Sequence, residues 1–348
     1  MPINENAPLS VTPGAIRFNT DSMKLEYYRG GPVGFGTTTT TGEWVNLTTD
    51  SPDIQTGGTR GVFGGGYVTP SNVNTLDYIT ISTTGNAITF GILSQSRAPV
   101  VACSSSTRGV FAGGYVVPGA VNTLDYITIS STGNALDFGD LSQSRFQPGA
   151  CSSSSRGLFG GGFTPSRVNT IDYITVASTG NAQDFGDLTQ VRGAVAGCSS
   201  STRGVFGGGE PPGFTNTIDY VTISTLGNAA DFGDLTQEKR YSSACSSSIR
   251  GLFGGGVVPS GVINTIDYIT ISTLGNASDF GDLTQARTEL TACSSSTRGT
   301  FVGGVTPTRV NTIDYITILS VGNSIDFGDL TQARGGLAAC SNGHGGLG

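Results

Sequence analysis

A unit of 47 or 48 residues recurs along most of this chain, and that period limits the possible folds more than any single residue does. Its clearest marker is an arginine that precedes a glycine: Arg60, Arg108, Arg156, Arg203, Arg250 and Arg298, at steps of 48, 48, 47, 47 and 48 residues. So regular a period means units stacked side by side or closed into a ring, because one such unit cannot bury its own apolar face. Four segments of each copy read as strands. In the copy around residue 250 they are Ala244-Cys-Ser-Ser-Ser248, Gly251-Leu-Phe-Gly-Gly-Gly256, Asn264-Thr-Ile-Asp-Tyr-Ile-Thr-Ile271 and Ala277-Ser-Asp-Phe-Gly-Asp-Leu283. The third is rich in β-branched and aromatic residues, as strands are. Gly275-Asn276 between third and fourth is a hairpin turn pair that tolerates positive φ. No window has a helical period. Four short strands per unit, with turn signals between, predict one blade of a β-propeller.

The order of strands also predicts how the ring closes. Second strands begin near residues 60, 108, 156, 203, 250 and 298, and first strands near 97, 145, 192, 240, 287 and 334. The series therefore starts on a second strand and ends on a first strand. Arg334-Gly-Gly-Leu-Ala-Ala-Cys-Ser341 should complete the blade begun by residues 60–93. The expectation is an all-β, six-bladed propeller over 57–348, closed by its own C-terminal strand and preceded by a small N-terminal β-hairpin module over 1–56.

The repeat resembles the kelch family. The likeness rests on the glycine run closing the second strand, the Asp-Tyr pair in the third, and an arginine opening the next first strand (Arg97, Arg145, Arg192, Arg240, Arg287, Arg334). It covers roughly residues 57–342. Where kelch blades usually carry a fourth-strand tryptophan, this chain has Phe90, Phe138, Phe185, Phe232, Phe280 and Phe327.

Residues 1–56 lie outside the repeat. Ala15-Ile-Arg-Phe-Asn19, Lys24-Leu-Glu-Tyr-Tyr28 and Glu43-Trp-Val-Asn-Leu47 read as strands. An isolated hairpin is marginal in water, so this module needs a partner, either the propeller or another chain. The run Gly14–Tyr28 with the later Gly42-Glu-Trp44 is similar to a short segment of many tailed-phage structural and fibre proteins. Arg-Gly-Val-Phe-Gly-Gly-Gly and Asn-Thr-Ile-Asp-Tyr-Ile-Thr-Ile resemble repeats of virion proteins of cyanophage-type viruses. These resemblances imply a virion protein made in a host cytoplasm. It would be tail-associated or on an appendage, contacting other virion proteins and a host receptor or glycan; the alternative is a decoration or adaptor protein that binds only virion proteins. Phe18, Tyr27 and Trp44 are the expected attachment residues, with Ile92. The outer strand Ala87–Leu93 carries Thr89 and Ile92 where the other copies carry aspartate, so something, such as the N-terminal module of the same or a neighbouring copy, should cover it.

Little points to chemistry, and no cofactor, metal or catalytic residue is expected. The single histidine, His344, stands in a glycine-rich tail, whereas a catalytic histidine must be held by packing. The glycine runs end strands instead of opening helices, so they are not phosphate cradles. The six cysteines, one per repeat (Cys103, Cys151, Cys198, Cys245, Cys293 and Cys340), read as small buried hydrophobes of the innermost strands. The third-strand aspartates (Asp77, Asp125, Asp172, Asp219, Asp267 and Asp314) should meet a repeat arginine or a backbone N–H. The Asp-Phe-Gly-Asp motifs should guard the outer edge strands against pairing. Formal net charge is −7 and nothing basic clusters, which argues against nucleic acid. No apolar run approaches a membrane span.

Recognition should therefore live in loops. By strand parity, the second-to-third loop and the fourth-to-first link share one face of the ring. Across the six copies that face varies, while the opposite face repeats Ser-Ser-Ser and Gly-Asn. The expected partner-binding residues are Tyr67, Tyr115, Phe146, Phe163, Phe214, Arg240 and Tyr241, since aromatic and arginine side chains dominate interface energetics.

Overall fold

Each repeat forms one four-stranded antiparallel sheet, and six such sheets make a six-bladed β-propeller. The computed structural model describes residues 59–347 in full and, before them, the strands Ile16–Asn19, Lys24–Gly30 and Gly42–Asn46. The chain divides into two compact units, 1–58 and 59–348. In the first, the three strands form one antiparallel sheet with the middle strand in sequence at its centre; Ile16 lies opposite Tyr27, and Tyr28 opposite Trp44. Tyr28 is buried and Ile16 exposed. The side chains of Phe18, Tyr27 and Trp44 lie outside the described residues.

In the propeller, blade 2 shows the plan: Val101–Ser104, Arg108–Ala112, Thr123–Thr128 and Leu136–Asp140, from the axis outward. The six first strands pack against one another around the axis. Blade 1 closes the ring. Its first strand is Ala338–Ser341, paired antiparallel with Arg60–Gly64, so that Cys340 faces Val62.

The core is divided among the six gaps between blades. One cluster joins Val62, Leu76 and Phe90 of blade 1 to Phe111, Ile127 and Ile129 of blade 2, and five equivalents follow. Every cysteine belongs to one of them. All six are free and buried, and each thiol lies on the second-strand glycine of the next blade. A Cβ on Gly204 would come within 2.7 Å of Cys151 Sγ, and one on Gly251 within 2.7 Å of Cys198 Sγ. Burial pushes every one of these thiols well above its ordinary value, which suits packing and disfavours a reactive thiolate.

Buried charge is the second unit of construction. The carboxylates of Asp125, Asp172, Asp219, Asp314 and Asp77 meet the guanidinium groups of Arg97, Arg145, Arg192, Arg287 and Arg334 at 2.8–2.9 Å, all fully buried. The third-strand aspartates thus have the arginine partner that the sequence suggested. Each arginine also ties strands together. Arg145 donates to the carbonyls of Gly161, Thr170 and Phe159 at 2.8–3.1 Å. Burial pushes the guanidinium of Arg145 down and Asp172 pushes it back up. One position is a correction. The link into blade 5 places Lys239, not Arg240, in this role. Lys239 Nζ lies 3.0 Å from Asp267, fully buried, while Arg240 follows on the surface. Sequence spacing alone favoured the arginine because two basic residues stand side by side there.

The other arginine series, which marks the period, joins blades. Arg108 lies over the Tyr126 ring at 4.4 Å and donates to the Val176 carbonyl of blade 3. Arg298 does the same with Tyr315 and with Ile81 of blade 1.

The outer edges also depart from expectation. In each gap the Gly-Asn turn of one blade adds to the fourth strand of the blade before it. Gly180 N–H donates to Phe138 O, Ala182 N–H to Asp140 O, and Asp140 N–H to Asn181 Oδ1. The edge that the Asp-Phe-Gly-Asp aspartates were expected to guard is therefore already partly hydrogen-bonded. In blade 1, Ile92 is 43% exposed and its carbonyl accepts from Ala135 N–H.

Candidate functional site: the variable face and the axial channel

The two loop sets do share a face, and they are bridged there. Ala98 and Tyr115 exchange backbone hydrogen bonds. Isolated bridges join Tyr67 to Gly335, Phe146 to Phe163, Gly193 to Glu210, Arg240 to Val257 and Thr288 to Val305. Five of the second-to-third loops carry a small hairpin of two-residue strands, such as Tyr67–Val68 with Ser71–Asn72.

The structure places all seven sequence-predicted residues on this face, each half-buried, in two clusters. In the first, Tyr115 and Phe146 meet edge to face at 5.7 Å, and Phe146 stacks on Phe163 at 5.2 Å. Arg309 covers the Tyr67 ring at 4.1 Å. Tyr67, Tyr115 and Phe146 line one groove of about 340 Å³ together with Asn72, Val117, Glu289 and Arg309. The second cluster is built on Glu210. Its carboxylate meets Arg167, lies 2.7 Å from Arg240 and accepts from the Tyr241 hydroxyl at 3.1 Å. Arg240 also lies over Phe214 at 4.6 Å. Burial, with Glu210 adding to it, pushes the Tyr241 phenol up to about 12. Arg167 over Phe163 at 5.3 Å connects the two clusters.

The sequence reading missed Glu210, Arg167, Arg309 and Glu289, and it missed the axis. Two residues after each buried Arg or Lys comes a residue of the channel mouth: Pro99, Gln147, Ala194, Tyr241, Glu289 and Gly336. Four of these hold non-glycine side chains at φ 54–56°, a conformation that costs about 1–3 kcal/mol each and gathers at functional sites. A chain of backbone bonds runs around the mouth, from Ala194 N–H to Gln147 O, Tyr241 to Ala194, Glu289 to Tyr241 and Gly336 to Glu289. Below it is a well of about 110 Å³. The shared offset from the repeat arginine could have revealed this ring. Taking Arg240 as the repeat arginine shifted one copy and hid it.

The far end of the channel is closed. Ser104, Ser152, Ser199, Ser246, Ser294 and Ser341 form a ring in which each Oγ donates to the carbonyl of the serine in the preceding blade, at 2.6–2.8 Å. The tail 342–347 folds over it. His344 Nε2 lies 2.9 Å from Ser104 O, and Nδ1 accepts from Gly346 N–H at 3.1 Å. That pattern needs a neutral imidazole with its proton on Nε2. Burial pushes the imidazole below its ordinary value, and the Ser104 carbonyl partly offsets this. His344 is thus held by packing, contrary to the expectation for a glycine-rich tail. Gly345 and Gly346 are needed there, since a Cβ on either would run into the Ser247 and Ser152 carbonyls.

No family model matches this chain, and no curated protein matches it.

Proposed function

We propose that this protein is a non-enzymatic binding scaffold whose variable face meets a partner. We further propose that it serves as a structural protein of a tailed-phage particle, tail-associated or on an appendage, in contact with other virion proteins or the host surface. The observation that carries the binding reading is the contrast between the two faces. One repeats its serines and Gly-Asn turns blade after blade. The other gathers seven half-buried aromatic and arginine residues on a rigid rim, where rigid aromatic area costs little ordering entropy. The virion assignment rests on the resemblance of the repeats and of residues 14–44. The attachment role of Phe18, Tyr27, Trp44 and Ile92 belongs to the same proposal.

The test is paired substitution. Arg240→Ala with Tyr241→Ala removes two of the three side chains on Glu210; Asn228→Ala with Asn276→Ala alters the opposite turns. Particle incorporation and adsorption to host cells should fall at least about tenfold with the first pair, the loss expected when central anchor residues are truncated, beyond any fall in melting temperature. A loss of incorporation alone would assign the face to another virion protein, as in the adaptor reading. If only the second pair matters, or neither, the variable face is not the contact face.

A further inference from the structure

We propose that the groove and axial well on the variable face form one binding site for a neutral saccharide, with a pyranose ring in the groove and one ring substituent in the well. This deepens the reading of that face as the contact face and rests on it.

Shape and lining come first. The groove, about 340 Å³, and the well, about 110 Å³, are lined in common by Pro99, Glu289 and Gly336. The groove falls within the size range of small-ligand sites, roughly 300–1,000 Å³, and matches their usual lining of aromatic walls with a few polar groups. Tyr67, Tyr115 and Phe146 supply the walls. The C–H face of a pyranose carries slight positive charge and packs on the negative face of an aromatic ring.

One polar side chain in the wall of the well is buried without a partner. Three residues after each buried Arg or Lys is a wall residue of the well: Val100, Pro148, Val195, Ser242, Leu290 and Leu337. Ser242 is the one hydroxyl in that ring. It is only 8% exposed, and its Oγ has no hydrogen-bond partner among the described residues. A buried hydroxyl left unpaired is costly, so a turn about its single χ1 bond that brings it to a ligand hydroxyl in the well gains that term back.

Charge then selects the ligand class. Burial pushes the Glu289 carboxyl up and Arg309 pulls it back, yet no ion pair closes between them among the described residues. A cation in the groove would meet Arg309, and an anion would meet Glu289. A neutral polyol uses both, donating to the carboxylate and accepting from the guanidinium.

The experiment uses the full chain and saturation-transfer NMR with the methyl pyranosides of glucose, galactose and mannose and with N-acetylglucosamine. Tetramethylammonium and acetate serve as charged probes. Each is tested to about 50 mM, well above the millimolar affinity of a weak single-site ligand. At least one saccharide should bind, with Kd raised tenfold or more by Glu289→Gln and by Ser242→Ala, and unchanged by Ser201→Ala on the opposite face. Binding of a charged probe but of no saccharide, binding of nothing, or saccharide binding indifferent to both site variants would each overturn the proposal. Saccharide binding by a protein whose Arg240/Tyr241 variant adsorbs normally would uphold this site while refuting the contact-face reading.

Discussion

Lys239 shows how much one side chain decides at the scale of the residue. In the other blades a guanidinium reaches the third-strand aspartate and up to three backbone carbonyls, as Arg145 does. The Lys239 ammonium reaches Asp267 and the Phe253 carbonyl. Both side chains carry the charge that Asp267 needs, but only the planar fork spans second and third strands. Lys239→Arg should therefore stabilise the protein by about 1–2 kcal/mol through charged hydrogen bonds, raising the melting temperature by a few degrees. An unchanged or lower melting temperature in a thermal scan would mean that blade 5 has shaped itself to the lysine.

Elements are coupled across the gaps between blades, where large and small residues alternate. A first-strand cysteine packs on a second-strand glycine, a second-strand arginine covers a tyrosine and bonds the next blade, and a Gly-Asn turn bonds part of an outer edge. The first of these contacts is measurable. Gly204→Ala puts a methyl 2.7 Å from Cys151 Sγ and should cost about 1–3 kcal/mol by overpacking. Cys151→Ala alone should cost about 1 kcal/mol through the small void it leaves. Made together, the two changes relieve each other, so chemical denaturation of the double variant should show a loss smaller than the sum by at least about 0.5 kcal/mol. Strict additivity would show that thiol and glycine do not meet.

The whole molecule depends on the strand that closes the ring. Residues 334–348 supply the first strand of blade 1, the partner of Asp77, one serine of the axial ring and the tail over the channel. Their deletion leaves Asp77 buried without its guanidinium, which alone costs about 3–5 kcal/mol, and exposes the edge of Arg60–Gly64. Melting should fall by about 10 °C or more at the few degrees per kcal/mol of a domain this size, or the protein should aggregate. A truncated chain melting within about two degrees of the parent would contradict closure by this strand.

Blade number, strand order, closure and the division into a uniform and a variable face were all legible in the sequence. These properties follow from local pattern repeated at a fixed period: β-branched third strands, Gly-Asn turns, glycine-terminated second strands, and a count that starts on one strand type and ends on another. The seven aromatic and arginine residues could be assigned to one face for the same reason, since parity alone decides the side on which a loop emerges. Their partners could not be read. Glu210 joins Arg167 to Arg240 across three loops, and Lys239 instead of Arg240 enters the core. His344 sits on Ser104, about 240 residues away in the chain. The channel mouth needs six residues, one per repeat, to converge on a common axis. Strand and turn preferences act over a few residues and are written into each copy. Convergence at the axis exists only once the ring has closed, so the well, its unpaired Ser242 and its plug are decisions of the tertiary structure alone.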